Sequence, residues 1–264
     1  IVLLLGVGAY FTSPFFRPSL PPTQTVTPTP TTTTPSPERK HDVTSEDIVY
    51  HGSTSGYLSR PTDIGKYPGV VMIHEWWGLT DNIKSTAQRL ASEGYVVLAV
   101  DLYNGEVAKT PERAGELVSR INQDEALKNM ISAVNFLKSR EGVSKVASLG
   151  WCFGGGQSLQ LALSGEPLDA TVIYYGTPLV TDESRLSRIK WPVLGIFGDK
   201  DTAIPVTAVR ELASKLDRLG IKNEIYIYPG VGHAFANPSG ENYAPNETRD
   251  AWNKTVAFLD KYLK

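Results

Sequence analysis

The chain has 264 residues, 41% of them hydrophobic, and its 26 basic and 28 acidic side chains leave a formal charge of -2. That balance provides no electrostatic footprint for nucleic acid, and no run of basic residues marks a membrane-surface patch. With one cysteine, the chain has no internal disulfide framework.

Residues 1–17 open on an apolar run, Ile1 to Phe11, too short to span a bilayer as it stands. It reads as the end of a signal-peptide core or of a membrane anchor. From Pro18 to Pro37 the chain is nearly all Pro and Thr. Residues 18–44 are therefore expected to be a disordered linker, with His41 at its polar end. In extended form at about 3.1 Å per residue, the Pro/Thr stretch would hold a domain roughly 60 Å from a surface. Anchor and stalk together point to an extracytoplasmic protein, secreted or anchored to a membrane through its N-terminus. Two triplets, Asn246-Glu247-Thr248 and Asn253-Lys254-Thr255, fit the N-glycosylation acceptor pattern.

Residues 45–264 leave about 220 residues, enough for one domain with a large core. Strand-like and helix-like patterns alternate throughout, which argues for a mostly parallel sheet covered on both faces and hence for the α/β class. An early strand carries His51, and residues 69–73 form a short buried strand. Helical periodicity then covers 82–93, 111–119 and 124–139. A strand at 145–150 leads into a helix at 155–163. Strands at 193–197 and 224–228 alternate with helices at 206–219 and 247–262.

The most informative point is the junction after residue 150. Cys152 sits in Gly150-Trp151-Cys152-Phe153-Gly154-Gly155, between a strand and a helix. A G-x-nucleophile-x-G turn there strains the central residue and lifts its side chain above the sheet, and small neighbours allow the two backbones to approach. A lone cysteine is otherwise an ordinary small hydrophobe. What gives it chemistry is a base and an acid later in the chain. Of the four histidines only His233 follows Cys152, in Gly230-Val231-Gly232-His233-Ala234-Phe235. The acid has two candidates, Asp199 and Asp201. Asp201 is preferred because it lies past the strand tip, whereas Asp199 can serve as a turn residue. The Phe153 N–H at the helix start and the Trp76 N–H in the loop after strand 69–73 are expected to form the oxyanion hole. Glu75 emerges at the same sheet edge as Cys152. His74 is expected to be packed or hydrogen-bonded.

From about Asp47 onward the chain resembles the dienelactone hydrolase family of α/β-hydrolases. The resemblance rests on His74-Glu75-Trp76-Trp77-Gly78-Leu79, Ala99-Val100-Asp101-Leu102-Tyr103, Gly150-Trp151-Cys152-Phe153-Gly154-Gly155, Asp201-Thr202-Ala203-Ile204-Pro205 and Gly232-His233-Ala234-Phe235. It implies an α/β-hydrolase fold that cleaves small esters or lactones through Cys152, His233 and Asp201 and an acyl-enzyme, with no metal or cofactor. It also implies that Glu75 contacts the resting thiol and helps it ionise. Trp77, Tyr103 and Asn237 are expected in the substrate pocket, with Trp76 and Trp77 either lining an acyl pocket or capping the core. The chain departs from the family at two places where arginines hold a substrate carboxylate. They read Asn104-Gly105-Glu106 and Phe235-Ala236-Asn237 here, so neutral substrates are expected. Arg113 and Arg120 are the nearest basic residues after the Asp101 segment. A thioesterase, acyltransferase or small peptidase on the same fold, or a non-catalytic binding domain, remains open at this level.

Overall fold

Short runs of Val, Ile, Leu and Ala build the centre of the sheet. In the computed structural model, β3 (Gly69–Ile73), β4 (Val96–Val100), β5 (Val146–Trp151), β6 (Ala170–Tyr174) and β7 (Val193–Gly198) are buried at every position. Such continuous burial is what strands covered on both faces require. β1 (Val43–His51) and β2 (Thr54–Pro61) form an antiparallel hairpin at one side, and β8 (Asn223–Tyr228) lies at the other. The order is β1-β2-β4-β3-β5-β6-β7-β8, antiparallel at β1-β2 and β2-β4 and parallel elsewhere.

The structure describes residues 40–264 and, upstream of these, only the backbone of Gln24–Thr25, which pairs in parallel with Tyr226 and Ile227. The expected anchor and, apart from Gln24–Thr25 and its end at residues 40–44, the expected linker lie outside the described residues. That end is part of the domain. β1 already begins at Val43, the His41 N–H donates to the Ser92 carbonyl (3.1 Å), and His41 Nδ1 lies 3.1 Å from Asp63 Oδ1. Among the described residues no helix is long and apolar enough to cross a membrane.

Seven helices are described: α1 (Asp81–Ala91), α2 (Pro111–Ser119), α3 (Gln123–Lys138), α4 (Phe153–Ser164), α5 (Glu183–Leu186), α6 (Val206–Arg218) and α7 (Pro245–Leu263). Local chemistry sets several of their starts. Thr110 caps α2, which has Pro111 in its first turn, and the Asn122 side chain accepts from the Asp124 and Glu125 N–H groups at α3. The one-turn α5 has no periodic pattern long enough to be read from sequence. Side-chain bonds show which faces α4 and α7 cover. Ser158 of α4 donates to Ser148 of β5, which pairs in register with Thr171 of β6. Tyr174, an odd number of residues further along β6, points to the opposite face and bonds Thr255 of α7 (2.7 Å). α4 and α7 therefore cover opposite faces, and the parallel strand ends between them carry the functional residues.

Candidate active site

Cys152 has φ 54° and ψ -120°, a conformation that L residues avoid, at the joint between β5 and α4. The helix starts at Phe153, two residues earlier than the periodicity suggests, so nothing separates Cys152 from the helix. Neighbouring backbones make this joint possible. A Cβ added at Gly154 would lie 2.3 Å from the Ile73 oxygen and 2.4 Å from the His74 oxygen, and one at Gly150 would lie 2.1 Å from the Gly154 oxygen. No side chain fits in either place. The same closeness brings the start of α4 against the end of β3, where Glu75 and Trp76 follow. The Phe153 and Trp76 N–H groups donate no hydrogen bond among the described residues. The Cys152 carbonyl, in contrast, accepts from both Gly156 (3.0 Å) and Thr177 (3.1 Å).

His233 stands on the loop after β8. Its Nδ1 lies 2.8 Å from Asp201 Oδ2, and the Asp201 side chain is fully buried while that of His233 is 24% exposed. Because an ionised carboxylate only accepts, the proton on this contact belongs to Nδ1. The other carboxylate oxygen, Oδ1, accepts from the Ala203 (2.8 Å) and Ile204 (3.1 Å) N–H groups. Asp199 does something else. It accepts from the Gly230 N–H (2.7 Å) and so ties the loop after β7 to the loop that carries His233. Burial works against a charged His233 imidazole, but hydrogen bonds to Asp201 and to the Cys152 side chain outweigh it and raise the pKa to about 10.

Glu75 is 5% exposed. Burial pushes its carboxyl up to about 7, against the lowering influence of the His233 charge and of Asn237. Its oxygen Oε2 accepts from Asn237 Nδ2 (2.7 Å), and no hydrogen bond joins Glu75 to the Cys152 thiol. The resemblance implies a contact of Glu75 with the thiol, but the Glu75 carboxyl is bonded to Asn237 here. Asn237, expected in the substrate pocket, has its amide committed to Glu75 and to the loop, since Oδ1 accepts from Ser239 N–H (2.9 Å).

His74 is fully buried and structural. One ring nitrogen contacts the Glu75 carbonyl oxygen (2.6 Å), the other accepts from the Leu102 N–H (3.2 Å), and burial lowers the pKa. The ring packs with Tyr103 (4.7 Å between centroids) and Phe153 (6.0 Å). Tyr103 is therefore a buried member of an aromatic cluster beside Cys152, with its hydroxyl unpartnered. Trp76 and Trp77 meet edge to face at 5.0 Å and are partly exposed. Tyr175 carries no motif of its own in the sequence. It follows β6 with φ 34°, is fully buried, and its ring lies 5.2 Å from that of His233. Its only signal in the sequence is its place at the end of an apolar strand. Arg113 and Arg120 do not supply a free charge here. Arg113 holds Glu106 through two nitrogens (2.5 and 2.8 Å) and Glu116 through a third, while Arg120 sits near Glu116 on the exposed side of α2. Among the described residues no three His, Cys, Asp or Glu side chains are grouped to hold a metal ion.

The profile of the dienelactone hydrolase family matches residues 54–263, nearly the whole domain. The chain belongs to the dienelactone hydrolase family. Its relatives agree. "Protein usf" of Aquifex pyrophilus is 38% identical over 220 residues, covering 79% of this chain and 93% of that one. A protein of Aquifex aeolicus named "Putative carboxymethylenebutenolidase" is 33% identical over 219 residues, covering 79% and 94%. Among solved structures, a "Putative Dienelactone Hydrolase" from Klebsiella pneumoniae superposes with TM-score 0.75 at 26% identity, covering 84% of this chain and all of that one. This dienelactone hydrolase family member is thus an α/β-hydrolase in fold and a hydrolase in class.

Proposed function

We propose that the protein hydrolyses small esters or lactones through Cys152, His233 and Asp201, by way of an acyl-enzyme. The observation that carries this reading is His233, which bonds the buried Asp201 through Nδ1 (2.8 Å) and whose charged form Asp201 and Cys152 together favour. The Cys152 thiolate attacks the carbonyl carbon, and the developing oxyanion is held by the Phe153 and Trp76 N–H groups. When the tetrahedral adduct collapses, imidazolium His233 gives its Nε2 proton to the departing alkoxide. Neutral His233 then takes a proton from water, whose oxygen attacks the thioester. The acid leaves, and the thiolate–imidazolium pair is restored. Asp201 fixes the ring tautomer throughout.

Near the scissile bond the substrate is uncharged. The two positions where the family places carboxylate-binding arginines hold Asn104 and Asn237, and Arg113 and Arg120 face other carboxylates. A missing charge-assisted pair there lowers kcat/KM for dienelactone-like acids by roughly one to two decades. The apolar N-terminal run and Pro/Thr stretch support an extracytoplasmic location. Turnover of a panel of esters, lactones, thioesters and peptides tests the assignment. Ester and lactone cleavage lost in Cys152→Ala supports it, and preferential peptide or thioester cleavage overturns it.

A further inference from the structure

A concavity approaches the site from the α1/α7 side. A cavity of about 190 Å³ lies between α1, the ends of β5 and β6, the loop after His233 and the start of α7. Its volume is that of about six waters, enough for a short acid arm. Glu75, Asn237 and Tyr175 form its inner wall and are shared with the catalytic cluster, and Trp151 directly precedes Cys152. The outer wall holds Arg89 and Trp252. The Arg89 guanidinium lies 4.1 Å from the Trp252 ring centroid. Stacking of this kind fixes the plane of a guanidinium and leaves its N–H edge open. Among the described residues that edge has no hydrogen bond and no ion pair. Glu93, one helical turn on, is taken by Lys40 (2.9 Å).

A guanidinium carries five N–H donors and never loses its charge, so an oriented and unpaired one beside a cavity calls for an anionic acceptor. Among the described residues the only acid lining the cavity is Glu75, which burial holds largely protonated below about pH 7 and which is already bonded to Asn237. Asn82, Ser85, Thr86 and Tyr243 also line the cavity and add polar groups to a lining that is otherwise largely apolar.

We propose that this cavity is a subsite for a carboxylate carried by the substrate at a distance from the scissile carbonyl, with Arg89 as its charge partner and Trp252 as the platform that orients Arg89. The inference rests on the ester-hydrolase reading and refines it: the substrate is neutral at the reacting end and anionic at the far end. The test compares monoethyl esters of succinic, glutaric, adipic and pimelic acids with the neutral ethyl esters of equal length. In the wild type, the kcat/KM ratio of acid to neutral ester should rise with arm length to a maximum. Arg89→Met keeps the aliphatic stem on Trp252 and should lower that maximal ratio about 10- to 100-fold, mainly through KM, with Arg89→Lys in between. A ratio that is flat with arm length, or a loss that is equal for both esters of a pair, would overturn the subsite. Binding of free adipate to the wild type and to Arg89→Met, measured by calorimetry, separates the two readings. Adipate binding that depends on Arg89 without turnover of any ester keeps the anion site and sinks the esterase. Arg89-dependent adipate binding with an unchanged ester ratio overturns the assignment to a substrate arm.

Discussion

Asp201 divides its carboxylate between His233 and the backbone: Oδ2 meets the imidazole Nδ1 at 2.8 Å, while Oδ1 accepts two loop N–H groups at 2.8 and 3.1 Å. Because the backbone fixes Asp201, the imidazole it orients is fixed too. Asp199, two residues earlier, accepts from the Gly230 N–H and lies 3.8 Å from the Lys200 ammonium, away from the imidazole. Asp201→Asn should therefore lower kcat by up to ~10⁴-fold, if the tautomer effect matches that of serine triads. Asp199→Asn should cost much less, through loosening of the loop. Steady-state kinetics on one ester would decide, and the reverse ranking would show that the wrong aspartate has been given the role.

Cys152→Ala should abolish ester turnover and leave the thermal unfolding transition close to that of the wild type, because the side chain is partly exposed and small. Retained turnover in this variant would end the cysteine-hydrolase reading.

His233 titrates high because Asp201 and Cys152 hold its charged form against burial. A histidine whose folded pKa exceeds its ordinary value of about 6.5 adds stability that is complete below that pH and fades as pH rises through about 10. Nitrogen NMR should find the ring protonated at pH 8 in the wild type. In Cys152→Ala the midpoint should move down, since one of the two raising partners is gone. An unmoved midpoint would mean that the thiol does not contact the ring.

The Glu75 carboxyl binds its proton more tightly in the fold than in the unfolded chain, about 7 against 4.5. Between these values the folded state keeps a proton that the unfolded chain has released, so stability declines as pH rises through the window. Glu75→Gln should remove that decline, gaining on the order of a few kcal/mol relative to the wild type at pH 8 and little at pH 4. Urea unfolding at both pH values measures it, and parallel curves for the two proteins would refute it.

Gly154→Ala should destabilise the protein by about 1–3 kcal/mol or more and abolish turnover, because its methyl group would press on two backbone oxygens of the β3 end. Gly115→Ala is the control. Nothing lies within 4 Å of its added Cβ in the middle of α2, so a gain of roughly 0.5–1 kcal/mol is expected. Equal melting temperatures for the two variants would contradict the packing account of the elbow.

The sequence by itself determined the layered α/β architecture, the helix positions to within about two residues, and the elbow at Cys152. All three follow from forces that act over a few residues, namely periodic burial, capping, and the space that Gly150 and Gly154 leave for the backbone. The preference for Asp201 over Asp199 also rested on local grounds, its distance past the strand tip. Other features were settled only in three dimensions. Asn237 lies 162 residues from Glu75, yet their side chains bond at 2.7 Å. Arg89 and Trp252 stack across α1 and α7, and Arg113, a candidate for substrate charge, is instead occupied by Glu106. His41, read as linker, is fastened to Ser92 and Asp63. Which distant side chains meet depends on the order in which crossovers lay down the strands, and no local pattern records it. The tertiary structure therefore decided which polar groups around the elbow are already satisfied and which, like Arg89, still lack a partner among the described residues.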